Sequence, residues 1–85
     1  MVKLSALTDV LIECSTILPN IVERTLVDQL KNYESITPHI NDKELERELK
    51  RLLRTIDYVL VNAQLSTEQR RKFKKLRKIL KNSLY

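Results

Sequence analysis

Residues 41–63, NDKELERELKRLLRTIDYVLVNA, hold the longest amphipathic pattern in the chain. Leu45, Leu49, Leu52, Leu53, Ile56, Val59, Leu60 and Ala63 recur at three- and four-residue intervals. That is the period of one helical face and not of a strand, whose buried positions alternate. Asn41 followed by Glu44 reads as a capping box, with Ile40 and Leu45 placed as a hydrophobic staple. Glu46–Lys50 stand four apart in the favourable orientation, and Glu44–Arg47 and Glu48–Arg51 stand three apart. A helix of roughly 23 residues would span about 35 Å. It is predicted to be the spine of the fold, with Leu49, Leu53 and Ile56 at the centre of the core.

On its N-terminal side, residues 34–40, ESITPHI, break the period with Pro38 and the single histidine, and read as a loop. Further back, Leu7, Val10, Leu11, Cys14, Ile17 and Leu18 make an apolar stripe on a first helix from about Ser5 to Leu18, with Ile12 on the opposite side. Pro19 cannot donate to the carbonyl four residues back, so it interrupts that helix. Asn20 and Glu23 then form an N-x-x-E start signal for a second helix, on which Val22, Leu26, Leu30 and Tyr33 share a face with Val27 at its margin. One helix kinked through Pro19 is the alternative.

On the C-terminal side, Ser66 and Gln69 make another capping box, opening a basic helix over about 66–84, with Leu65 placed before it as a weak staple to Arg70. On a wheel of 100° per residue, Phe73, Leu76, Leu80 and Leu84 fall within about 80°, with Ile79 extending the stripe. Glycine is absent, which removes phosphate-cradling loops and the usual hairpin turns. The fold class expected is therefore all-α: a compact bundle of about four helices forming one small domain over residues 1–85, with the long third helix as spine.

The formal net charge of +5 is unevenly placed. Residues 1–69 carry eight Lys/Arg against eleven Asp/Glu, a balance of −3, whereas residues 70–85 carry eight Lys/Arg and no acid, a balance of +8. Within RRKFKKLRKIL, residues 70–80, and one turn beyond, Arg70, Lys74, Arg77, Lys78 and Lys81 are the candidate contacts to nucleic acid or to an acidic partner. Cations along one face neutralise phosphates without any base-reading residue. The competing reading is the solvated face of a bundle helix, although so many like charges without a compensating acid repel one another. Arg47, Arg51, Arg54, Tyr58 and Val61 lie on the polar side of the third helix and are the candidate protein-partner contacts, since Arg and Tyr are enriched at binding hot spots. Lys50 flanks them.

Catalysis is not expected. No Ser/His/Asp or Cys/His arrangement is present, His39 has no second histidine, and the Glu44/Glu48 pair lacks the matching His or second Glu pair of a metal-carboxylate site. No cofactor and no metal are expected. Cys14, inside an apolar stripe, reads as a small buried hydrophobe. With one cysteine and no signal-like start, an intracellular setting, cytoplasmic or nuclear, is expected. No apolar run approaches the roughly 18 residues that span a bilayer, so membrane binding is not expected. Helix-turn-helix readers and sheet-based RNA binders do not fit, because the clear loop joins long helices and no strand pattern carries stacking aromatics. The expected function is a non-catalytic interaction domain that binds another protein, an adaptor whose basic helix adds electrostatic contact. The alternative is a nucleic-acid-binding protein with that helix as its primary site. Ile12, Tyr58 and Val61 have no evident place in the core, which leaves a homodimer open.

Overall fold

Ser66 opens the element that the sequence specifies most fully. Its hydroxyl accepts the Gln69 backbone N–H at 3.1 Å while the Gln69 side-chain oxygen accepts the Ser66 N–H at 3.1 Å. Two of the N–H groups that a helix start leaves unbonded are thereby satisfied. The computed structural model describes residues 3–85; Met1 and Val2, the first two residues of the expected 1–85 domain, lie outside the described residues. It contains four helices, α1 (Leu4–Ile17), α2 (Arg24–Ile36), α3 (Lys43–Asn62) and α4 (Thr67–Leu84). The architecture is an all-α four-helix bundle, and α3, at 20 residues, is its longest member.

All four helices feed one core. Leu7, Leu11, Cys14, Leu30, Leu49, Ile56, Phe73, Leu76 and Leu80 are fully enclosed, and Leu53 nearly so. The core also takes Leu4, one helical step before the expected start of α1, and Thr8. The Thr8 hydroxyl donates to the Leu4 carbonyl at 2.8 Å, so a polar group is buried without losing its partner.

Three helix-start expectations need correction. The Asn20–Glu23 box does not form: α2 begins at Arg24, with Glu23 at the cap position and no side-chain cap bond. Residues 19–22 instead turn the chain, the Ile21 N–H donating to the Leu18 carbonyl at 3.1 Å, and the turn buries Val22. Because α1 and α2 then pack against each other, a single helix kinked at Pro19 is also excluded. The cap of α3 is Asp42 rather than Asn41. Its carboxylate accepts from the Glu44 N–H at 2.7 Å and the Leu45 N–H at 3.4 Å. With the cap one residue later, Glu44 is no longer at the third helical position and Ile40 is no longer at the staple position, although Ile40 still packs against the core. The loop occupies residues 37–42, since α2 runs on to Ile36.

The helices are ordered around the bundle as α2, α1, α4, α3: close backbone approaches join α1 to α2, α1 to α4, and α3 to α4. Among the described residues α2 and α3 stand apart, although they are consecutive in the chain. The 37–42 loop therefore crosses one end of the bundle, and the Pro38 carbonyl receives the first N–H of α1, that of Leu4, at 3.0 Å. The α3/α4 pair is antiparallel, as its short 63–66 connection favours. Leu60 meets Arg70, Asp57 meets Arg77 and Lys50 meets Tyr85, so partners descend α3 as they ascend α4.

Candidate functional site

The seam between α3 and α4 gathers charges of one sign. A surface groove of about 700 Å³ is lined by all five basic residues singled out on α4, namely Arg70, Lys74, Arg77, Lys78 and Lys81, with Leu60 and Val61 on the α3 side. The phase of the α4 stripe places it there. With Phe73, Leu76 and Leu80 fixed inward, the basic residues at intervals of three and four emerge together along one edge.

The five are not equivalent. Arg70 reaches back, its Nη1 donating to the Leu60 carbonyl at 2.6 Å, and is half-buried. That carbonyl is among the four that the end of α3 leaves without an intrahelical partner, and the last turn of α3 has no basic residue of its own. Arg77 donates through Nε to the Asp57 carboxylate of α3. Asp57 is the sole acid between Glu48 and Glu68, and this ion pair uses it. Lys74, Lys78 and Lys81 are exposed, and among the described residues no carboxylate comes within ion-pair distance of them.

The outward ridge is therefore narrower than the sequence alone implies on its α3 side. Arg70 and Arg77 lie about 40–60° from Phe73 on the helical wheel, and that sector is taken by α3. Exposed Lys74, Lys78 and Lys81, joined by exposed Arg71 and Lys75, occupy about 80–200°.

The second predicted set runs along one side of α3 and borders different features along its length. Arg47 and Arg51 line a cleft of about 600 Å³ between α2 and α3, among Glu23, Glu44 and Glu48. Arg51 and Glu48 approach to 3.9 Å, and Lys50 and Glu46 to 3.4 Å; the expected Glu44–Arg47 pair is not among the ion pairs of the described residues. With Asp42 also lining it, four carboxylates face two arginines, so this cleft is of mixed sign. Arg54 and Tyr58 project from the outer side of α3, and Val61 belongs to the α3/α4 groove. Tyr58 is 69% exposed and Val61 82%. Ile12, on α1, sits on a helix that makes no close approach to α3, so it forms no continuous patch with them.

Cys14 lies in the core, where burial pushes its thiol up to about 11, with Glu13 adding to the effect and Lys72 opposing it. A thiol held protonated is a poor nucleophile. At the far end of the bundle, Glu34 Oε1, Thr37 Oγ1 and His39 Nδ1 are enclosed without protein hydrogen-bond partners among the described residues. No three His, Cys, Asp or Glu side chains converge there or elsewhere among the described residues. No helix of the described residues is long and apolar enough to cross a membrane.

Sequence reasoning missed the contacts of Arg70 and Arg77 with α3. The available signal was positional. A four-residue connection between antiparallel helices brings the residues flanking it into register, and Asp57, the one acid in the C-terminal half of the spine, invites the nearest cation. Compared with known proteins, the chain matches no family model, no curated protein and no solved structure.

Proposed function

We propose that the chain is a non-catalytic binding domain whose α3/α4 face engages an acidic surface on another protein. One observation carries this reading. Among the described residues Lys74, Lys78 and Lys81 stand exposed and unpaired on one ridge beside a groove, while neighbouring Arg70 and Arg77 are bonded to α3. A ridge with only a structural task would carry glutamates between its lysines, as the outer face of α3 does with Glu46 and Lys50. The free thiol suits a reducing compartment of the cell.

Nucleic acid is the second reading, and the exposed Arg71 and Lys75 favour it because they widen the basic arc beyond the groove. Fluorescence anisotropy with an acidic peptide and with duplex DNA, each over a salt series, tests both. The double reversal Lys74→Glu/Lys78→Glu should abolish binding to the preferred probe. If three lysines meet phosphates, log K for the duplex should fall against log salt with a slope of about −2.7. Unchanged binding of both probes by the double variant would show the ridge to be a solvated face and nothing more.

A further inference from the structure

We infer that the α3/α4 groove takes an acidic amphipathic helix, with an aliphatic side chain of that helix seated on Val61. This rests on the binding reading above and specifies its partner. The groove has two unlike walls. Along α4 run Lys74, Lys78 and Lys81, spaced by four and three residues and so stacked about one turn apart. On the α3 side stand Leu60 and Val61.

A lone exposed valine needs no explanation, since isolated surface apolar residues are common. Val61 is not isolated in this sense. It is 82% exposed, it lines the same groove as three unpaired ammonium groups, and it adjoins half-buried Leu60. A nucleic-acid backbone supplies charge for the lysines but nothing apolar for that wall. A helix with carboxylates at one-turn intervals and an aliphatic stripe beside them satisfies both walls at once, in the way helical peptides occupy grooves between helices. The length also fits. From Arg70 to Lys81 the groove follows α4 for about 16 Å, which is about three turns of a docked helix.

The test uses the intact chain and three fluorescein-labelled probes. One is a helical Glu/Leu/Ala peptide with Glu at one-turn spacing and Leu along the adjacent stripe. The second has the same composition in scrambled order, and the third is a short DNA duplex. The patterned peptide should bind about five- to tenfold tighter than the scramble, the difference expected from partly burying one aliphatic side chain. Val61→Ser should erase that preference, while Lys74→Glu/Lys78→Glu should weaken both peptides more than tenfold. Circular dichroism melts of Val61→Ser, a change at an exposed position, should match the parent. Equal binding of the two peptides, indifferent to Val61→Ser, would overturn the apolar contact and leave the acidic-partner reading standing. A duplex bound more than about tenfold tighter than either peptide would overturn both in favour of nucleic acid. No binding of any probe at about 50 mM salt would overturn both outright.

Discussion

Asp42 shows how much one side chain can settle. Its carboxylate caps α3 through the Glu44 and Leu45 N–H groups and also accepts the Tyr33 hydroxyl, so the start of the spine and the flank of α2 meet on one charge. The Tyr33 hydrogen bond, with the Glu44 N–H second, holds the Asp42 carboxyl below the usual carboxylate range. The same bond, with burial adding to it, raises the Tyr33 phenol. The two shifts act at opposite ends of the pH scale. A depressed carboxyl contributes stability that is present above its unfolded value of about 3.9 and is lost as pH falls through the lower folded value. A raised phenol contributes stability that is present below its unfolded value of about 10 and is lost as pH rises through the higher folded value. Asn at position 42 would keep a good neutral cap but hold no charge to titrate. In thermal melts from about pH 5 down to about pH 2, Asp42→Asn should lose less of its melting temperature than the parent does. Parallel curves for the two proteins would show that Asp42 contributes nothing to acid unfolding.

Between elements, the informative contact is Arg70 on the end of α3. The α3 carbonyls at its C-terminus need donors, and α4 supplies one from its first turn. Replacing Arg70 by Met keeps an aliphatic stem of similar length while removing the charged donor. The expected cost is about 1 kcal/mol, or a fall of about 4–8 °C in melting temperature. Amide exchange at Asn62 and Ala63 should quicken at the same time. A melting temperature within about 1 °C of the parent would place the guanidinium in solvent instead. Contacts of this kind mark the limit of what the sequence makes legible. The stripes of α1, α3 and α4 follow from the 3.6-residue period alone, and the Ser66–Gln69 box sets the start of α4 correctly. Local signals fail where two candidates compete: Asn41 and Asp42 are both good caps, and only tertiary contact with Tyr33 favours Asp42. Asn20 loses its helix because burying Val22 in a turn outweighs a local cap. At the candidate site, the wheel gathers the basic residues on one side correctly. It cannot distinguish Arg77 from Lys78, since that depends on which neighbour carries Asp57.

Over the whole molecule, charge and shape are set against each other. A body of 37 × 23 × 18 Å carries a balance of −3 over residues 1–69 and +8 over residues 70–85, so nearly all its positive field issues from one helix. Lys74, Lys78 and Lys81 lie within about one Debye length of one another at ordinary salt, about 10 Å, and repel. The exposed ion pairs of α3 offset little of this, since such pairs are individually weak. Two consequences can be measured together. The parent's melting temperature should rise as KCl is raised from about 10 mM to about 300 mM, because screening relieves the repulsion more than it weakens the surface pairs. Lys74→Glu/Lys78→Glu exchanges two positive for two negative charges and lowers the net charge from +5 to +1. At low salt it should melt at or above the parent, with a nearly flat salt response. A variant that melts well below the parent, or a parent destabilised by added KCl, would mean these lysines serve the fold. If stability is kept or raised while binding is lost, the ridge costs the free protein stability and repays it in the complex. That pattern is the expected signature of a binding site and not of a structural face.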